Sequence, residues 1–178
     1  MSVLIDNRGR VYVETAHVNR FLAPLLVGRF ALPSEANEFI KNNLKPQNAD
    51  QLFRFIPSDM DKFCHEKGLI KTRASIFKKA AQVADQKRSD ASEKPHINEG
   101  NEIHFIFAGS YIFYFNINNH HYSLIVQKGD WVYIPKDIEH WIKSTEDNYL
   151  VIASYHSEPF DIFHTKVNYT DTKSKTFI

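Results

Sequence analysis

Four side chains in the second half of the sequence are of types that bind metal ions: His96, Asn98, Glu102 and His140. In an extended strand, residues two apart share a face, so His96 and Asn98 can point to the same side. The polar residues 99–101 can then turn the chain so that Glu102 returns beside them, and His140 comes from a distant strand. Two neutral imidazoles and one carboxylate leave other positions on a divalent ion open, which suits iron(II) binding a substrate and dioxygen together. We therefore expect iron(II), with nickel(II), manganese(II) and zinc(II) as alternatives.

Short aromatic and β-branched segments flank these candidate ligands and would position them. The segments occupy residues 103–107, 111–117, 122–126, 131–134 and 150–155. Turn residues separate several of them, at 109–110, 118–119 and 128–130. Closely spaced strands with such turns are typical of an antiparallel sandwich or barrel, so the sequence predicts a mainly β fold. Tyr111, Phe113 and Phe115 repeat with a period of two, which predicts a strand face in the core.

The N-terminal part is expected to contribute a hairpin and helices. Residues 3–5 and 11–13 flank the turn-forming residues 6–9, which predicts a hairpin. Capping residues and apolar stripes predict three helices: one after a Ser34 cap, one over 58–68 and one over 74–84.

The length of 178 residues fits a single domain. Its expected parts are the hairpin and helices over 1–84, a polar connection over 85–94, the β core over 95–160 and a C-terminal tail over 161–178. The apolar content of 43% is sufficient for a buried core.

Charge and cysteine content argue against several classes of function. Lys and Arg total 22 against 21 acidic residues, so the net charge of +1 offers no footprint for nucleic acid or an anionic membrane. No apolar run approaches the ~18 residues of a membrane span, and the start of the chain does not resemble a signal peptide. With Cys64 as the single cysteine, no internal disulfide can form. A cytoplasmic protein with a small-molecule partner is expected.

The two segments that carry the candidate ligands resemble the paired motifs of the cupins. The first cupin motif reads His-x-His, a short spacer, Glu, a longer spacer and Gly; its counterparts here are His96, Asn98, Glu102 and Gly109. The second reads Gly, a spacer, Pro-x-Gly, a short spacer and His; its counterparts here are Gly129, Pro135, Asp137 and His140. The resemblance implies a cupin-type antiparallel β-barrel or jelly roll with a helical N-terminal part.

Within the cupins, the chain resembles the acireductone dioxygenases of the methionine salvage pathway. Residues 127–130, 140–141 and 155–159 carry this narrower resemblance, and the motif-bearing region spans about 95–160. In that family, iron directs cleavage to a keto acid and formate, whereas nickel in the same site gives a carboxylic acid and carbon monoxide. The resemblance implies a mononuclear non-haem iron dioxygenase that uses dioxygen to cleave a small enediol or dihydroxy-enone.

Three of the departures from the family pattern affect the candidate site directly. Asn98 replaces the second histidine ligand, and its amide oxygen would ligate more weakly than an imidazole, hold a water on the metal, or serve only in a turn. His104 stands where the family usually has an arginine facing the substrate, so it is the candidate to orient substrate or act as general base. Ile142 stands where bacterial relatives carry a phenylalanine that lines the pocket, and it is expected to contact substrate.

Two alternatives to acireductone cleavage stay open at this level. One is a divergent cupin that acts on another small metabolite as a dioxygenase, isomerase or cyclase. The other is a cupin without full metal coordination that serves as a ligand-binding or interaction domain. The sequence leaves the oligomeric state open.

Overall fold

The structure is a computed structural model, and it describes residues 2–78, 94–144 and 149–157. The strands in these residues are β1 (Val3–Asp6), β2 (Val11–Tyr12), β3 (Leu26–Arg29), β4 (Leu69–Lys78), β5 (Glu102–Ala108), β6 (Ser110–Ile117), β7 (His120–Gln127), β8 (Asp130–Ile134), β9 (Glu139–Ser144) and β10 (Tyr149–Ser157). The helices are α1 (Thr15–Leu22), α2 (Ser34–Asn42) and α3 (Ser58–Glu66), with a 3₁₀ helix over Pro46–Phe55.

The strands form two five-stranded sheets. The first sheet has the order β2-β1-β7-β6-β9, and the second has the order β3-β8-β5-β10-β4. Every pairing between neighbouring strands is antiparallel. The predicted mainly β, antiparallel fold is therefore confirmed.

Strand alternation in the second sheet separates an apolar outer face from a mixed inner face. On β5, Ile103, Phe105 and Phe107 belong to an outer apolar cluster with residues of α2, α3 and the 3₁₀ helix. Ile106 belongs instead to an inner cluster that includes residues from both sheets. Because side chains along a strand alternate between faces, Glu102 shares the inner face with its neighbours two and four residues on. Polar groups on β5 are thus directed between the two sheets.

The first sheet supplies the opposite wall of this interior. Tyr111, Phe113 and Phe115 on β6 are buried in the inner cluster, which confirms the predicted core face. β6 pairs with β9, and this pairing places Phe115 opposite His140 and Phe113 opposite Ile142. The interior between the sheets is therefore lined with aromatic rings next to the predicted metal-binding strand.

The N-terminal hairpin and two of the predicted helices are present. β1 and β2 pair around the turn, and α2 and α3 begin at Ser34 and Ser58. Ser34 does not cap α2 as expected, because the N-cap position is Pro33 and no side-chain capping hydrogen bond forms there. The pairing of β1 with β7 was not predicted, and it makes the hairpin part of the first sheet.

The helix predicted over 74–84 is wrong over its described residues. Residues up to Lys78 lie in β4, which pairs along its length with β10 at the edge of the second sheet. The apolar stripe has helical spacing, but pairing with a neighbouring strand decides the local structure in this context. The rest of that predicted helix, most of the predicted connection over 85–94 and the predicted tail over 161–178 lie outside the described residues.

Two tight turns hold the strands that carry the site. Gly109, between β5 and β6, has a φ of 79°, and a Cβ there would collide with the carbonyl of Tyr149. Asp137, just before β9, has a φ of 65° where the cupin motif has a glycine. A short polar side chain tolerates this left-handed conformation better than most residues do.

In the part of the chain that is described, no helix is both long and apolar enough to cross a membrane.

Candidate metal centre

The carboxylate of Glu102 is surrounded by imidazoles in the interior between the sheets. His140 Nε2 on β9 lies 3.0 Å from Glu102 Oε1. His104 Nε2 on β5 lies 3.2 Å from Oε2, and His156 Nε2 on β10 lies 3.3 Å from the same oxygen. These four residues, with His96, are called the Glu102 cluster below. The cluster joins both sheets, because β9 belongs to the first and β5 and β10 to the second.

His96 is held against His140 by the main chain. The two residues form an isolated antiparallel bridge, in which the N–H of His96 donates to the carbonyl of His140 (3.0 Å) and the N–H of His140 donates back (2.9 Å). Their ring centroids are 4.3 Å apart, and both residues are buried. The bridge therefore brings His96 into the cluster although it lies outside the named strands.

The rings of His96 and His140 are fixed in the same way. His96 Nδ1 lies 2.8 Å from the carbonyl oxygen of Lys94, and His140 Nδ1 lies 2.9 Å from that of Ile138. A carbonyl only accepts hydrogen bonds, so Nδ1 is the protonated nitrogen in each ring. In the neutral rings the lone pair is then on Nε2. A backbone carbonyl on the far nitrogen is also the usual way in which a metal-binding histidine is oriented.

The donor chemistry of the cluster fits a cation. Glu102 Oε1 is buried and accepts no hydrogen bond, although His140 Nε2 lies 3.0 Å away. A neutral His140 would direct its lone pair at that oxygen, and two electron-pair donors this close need a proton or a metal ion between them. Donor atoms held about 2.1 Å from one ion in an octahedral arrangement lie roughly 3 Å apart, close to the spacing here. The residue types and tautomers therefore suit a metal ion.

The side chains nevertheless contact one another directly instead of standing around an open position. Among the described residues, no group of three or more His, Cys, Asp or Glu side chains is arranged to hold a metal ion. Uptake of an ion would require the imidazoles and the carboxylate to separate slightly.

Electrostatics keep the carboxylate ionised. Burial opposes its ionisation, but the imidazoles of His104, His140 and His156 outweigh burial and hold the pKa of Glu102 well below its usual range. Burial also works against protonation of His140, yet contact with Glu102 raises its pKa. At His156 burial prevails over Glu102, and its pKa is lowered. The cluster therefore presents a negative oxygen among imidazoles, the combination that divalent transition metals bind.

The six site residues predicted from the sequence lie at different distances from the carboxylate of Glu102. Glu102, His104 and His140 are in direct contact, and His96 adjoins them through His140. Asn98 is partly buried, and its carbonyl accepts a hydrogen bond from the N–H of Asp137 at 3.2 Å.

Ile142 is also near the cluster. It lies two residues beyond His140 on β9, so the two side chains share a strand face, and it packs against the inner apolar cluster.

Two further residues of the site were missed by the sequence analysis. His156 contacts Glu102, and Ser154 Oγ lies 2.7 Å from His104 Nδ1. Both belong to β10 and are paired across the sheet, Ser154 with His104 and His156 with Glu102. Their spacing of two along a strand was a usable signal, but only the pairing with β5 shows which face they occupy.

The fold and the cluster together define a cupin. A family model described as the ARD/ARD′ family matches residues 40–161, and the chain belongs to this family.

The similar curated proteins are named acireductone dioxygenases. One from Synechococcus sp. is 27% identical over 64 residues, which cover 36% of this chain and 35% of that protein. One from Saccharopolyspora erythraea is 22% identical over 118 residues, which cover 62% of this chain and 61% of that protein. The chain thus matches only about a third of the length of the Synechococcus relative.

A solved structure shows the same fold over nearly the whole chain. It is the acireductone dioxygenase from Bacillus anthracis with a cadmium ion in its active centre. The TM-score is 0.76 at 15% identity, and the match covers 93% of this chain and 98% of that one. At this identity the likeness concerns the fold.

Proposed function

We propose that the protein is a metal-dependent dioxygenase that holds one divalent ion, iron(II) in its active form, and cleaves a small enediol or dihydroxy-enone of the acireductone class. The observation that carries the proposal is the unsatisfied Oε1 of Glu102 facing an imidazole whose Nδ1 is committed to a carbonyl. Membership of the ARD/ARD′ family and the names of the relatives support the reaction class.

His96, Glu102 and His140 are the proposed principal ligands. They supply two imidazole nitrogens and one carboxylate oxygen, a facial set that leaves positions for substrate and dioxygen. Asn98 is proposed as an auxiliary oxygen donor, directly or through a water, because its amide is a weaker donor than an imidazole. Bound there, the ion would act as a Lewis acid and as a template that brings the enediol oxygens and dioxygen together.

His104 is proposed to bind the substrate and to move a proton. Its side chain is 15% exposed, against 3% for His140 and 6% for His156, so it is the most accessible imidazole in contact with Glu102. Ser154 Oγ and Glu102 hold its two nitrogens, and its ring stacks near Phe113 with centroids 5.8 Å apart. Metal binding would draw Glu102 toward the ion, and the Nε2 of His104 would then be able to exchange a proton with a substrate oxygen.

Apolar side chains are proposed to keep water from the reacting carbon. Phe113 and Phe115 are buried on β6, and Ile142 packs beside them from β9. Exclusion of water strengthens the charge interactions inside the site and limits side reactions. Ile142 would also limit the size of the substrate substituent nearest β9.

Anaerobic mixing of the iron(II)-loaded protein with a synthetic acireductone, followed by dioxygen, tests the proposal. The ultraviolet absorbance of the enediol should disappear much faster than without protein, and formate should accumulate with iron. His104→Gln should slow the loss by roughly 100-fold or more, the range expected for one acid–base group, without removing the metal. Loss of absorbance at the protein-free rate, in a sample that retains its iron, would rule out this substrate class.

Position 104 favours a second candidate, a cupin that acts on another small metabolite. A guanidinium carries a fixed positive charge and several N–H donors, whereas His104 offers a single imidazole whose Nδ1 is already engaged by Ser154 Oγ. Such a site suits a substrate that is less anionic than an enediolate. Stoichiometric metal together with no acireductone turnover would support this candidate, whereas turnover of acireductone would exclude it.

A further inference from the structure

His156 occupies a position from which it can reach the same ion as Glu102. It lies directly opposite Glu102 in the pairing of β10 with β5. Side chains of directly opposite residues project from the same face with their Cβ atoms about 5 Å apart. The contact of 3.3 Å between His156 Nε2 and Glu102 Oε2 follows from this register.

The two oxygens of Glu102 are approached from opposite sheets. His140 Nε2 is next to Oε1 and comes from the first sheet, whereas His156 Nε2 is next to Oε2 and comes from the second. Both side chains are almost fully buried, at 3% and 6% exposure. An ion bound to this carboxylate would therefore have a buried imidazole nitrogen within reach on either side.

The proposed ligand set lacks one imidazole relative to the cupin motif, because position 98 is an asparagine. We propose that His156 is a metal ligand of this site and supplies, from β10, the imidazole nitrogen that Asn98 cannot provide. The inference rests on the proposed metal site. The resulting set of His96, Glu102, His140 and His156 again contains three imidazoles and one carboxylate, which suits iron(II) or nickel(II) better than an amide oxygen does.

His104 contacts the same oxygen but is a weaker candidate for this role. Its Nδ1 lies 2.7 Å from Ser154 Oγ, and it is the more exposed of the two rings, at 15% against 6%. It therefore serves as the matched control for His156: another imidazole at the same carboxylate oxygen, assigned to substrate instead of metal.

X-ray absorption of the cobalt(II)-loaded full-length protein, which counts imidazole ligands from their scattering, tests the proposal. We expect three imidazoles in the wild type, two in His156→Gln and three in His104→Gln. Competition titration should show cobalt(II) affinity reduced by more than about 100-fold in His156→Gln, beyond the 10- to 100-fold typical of losing an outer-sphere partner. An unchanged imidazole count in folded, cobalt-loaded His156→Gln would overturn the proposal.

The wild type and a double variant keep the test independent of the single variant's folding. Three imidazoles in the wild type that are retained in His104→Gln support His156 even if His156→Gln does not fold. Asn98→His combined with His156→Gln should restore the third imidazole, and a count that stays at two would contradict the exchange of roles between the two positions. A wild type that binds cobalt through two imidazoles overturns this inference alone, whereas a wild type that binds no metal overturns the proposed function as well.

Discussion

Asp6 and Glu102 are both buried carboxylates, but they are surrounded by opposite kinds of partner. Asp6 Oδ1 accepts hydrogen bonds from the N–H groups of Arg8 (2.9 Å) and Arg10 (3.0 Å). Its Oδ2 accepts from Arg10 Nε at 2.7 Å and from the hydroxyl of Tyr12 at 3.2 Å. Glu102 is instead approached by imidazoles, and its Oε1 accepts no hydrogen bond. Both oxygens of Asp6 accept hydrogen bonds, whereas Oε1 of Glu102 keeps an unshared electron pair that could bind a cation.

The difference shows that a lowered pKa does not by itself mark a binding site. Burial raises the pKa of Asp6, but hydrogen bonds and charge from Arg10 and Arg8 outweigh burial and lower it to about 2. The pKa of Glu102 is also lowered, by imidazoles. A guanidinium and backbone N–H groups can only donate, so they fix a turn, whereas imidazoles can exchange a proton for a metal ion. We therefore propose that Asp6 serves stability and that Glu102 binds the metal ion.

The largest effect should come from Glu102→Gln. Loss of the charge should weaken divalent-metal binding by more than about 100-fold, and turnover should fall with it, because a ligand contributes more than an outer-sphere partner. The variant should still fold, because glutamine keeps the size of the side chain and its amide can contact the imidazoles that surround Glu102. Competition titration and thermal unfolding measure the two quantities. Tight metal binding in the folded variant would remove Glu102 from the site.

Asp6→Ala should have the reverse pattern. Removal of a carboxylate that accepts several charge-assisted hydrogen bonds should lower the free energy of unfolding by about 2–3 kcal/mol. Metal affinity should change by less than about twofold, because the side-chain hydrogen bonds described for Asp6 all go to residues of its own hairpin. Urea unfolding and metal titration of the same preparation give both values. If metal affinity fell as far as in Glu102→Gln, the proposed difference in role between the two carboxylates would be wrong.

The stability that Asp6 contributes should depend on pH in the acid range. Its pKa is lowered from 3.8 to about 2 in the folded protein, so its ionised form stabilises the fold above pH 4 and this stabilisation is lost as the pH falls toward 2. The stability difference between the wild type and Asp6→Asn should shrink by about 2 kcal/mol over that window. Unfolding in urea at several pH values measures it. A difference that stays constant would mean that the pKa of Asp6 is not lowered.

The smallest effect should come from Ser154→Ala. Loss of one hydrogen bond to His104 costs about 1 kcal/mol, so turnover should fall by roughly fivefold with metal content unchanged. Ser154→Thr keeps the hydroxyl and should recover most of the rate. If Ser154→Thr failed to recover turnover and both variants lost metal, Ser154 would stabilise the metal site and not orient His104.

The same comparison indicates what could be predicted from the sequence. The hairpin around Asp6 is local, since its turn residues and partners lie within a few positions, and it was predicted correctly. Strands β5 to β8 were also predicted, because their alternation and turn residues are local signals. The second half of β4, from residue 74 to residue 78, was predicted as part of a helix, because its strand structure depends on pairing with β10, far along the chain.

The candidate site could be predicted only in part for the same reason. Spacing along the chain pointed to His96, Glu102 and His140, and the structure brings them together. His156 was missed because its position opposite Glu102 is a property of strand register. The tautomers of His96 and His140 were equally inaccessible, since they depend on which carbonyl each ring meets.

The central claim is that buried imidazoles and Glu102 form a metal site. Elemental analysis of the protein after anaerobic incubation with iron(II) and removal of unbound ion tests it most directly. His120 is the matched control for His140, because its Nδ1 also meets a carbonyl two residues back, that of Asn118 at 2.9 Å, but the residue is exposed. We predict close to one iron per chain in the wild type and in His120→Ala, and little in His140→Ala. Iron absent from the wild type, or retained fully in folded His140→Ala, would contradict the claim.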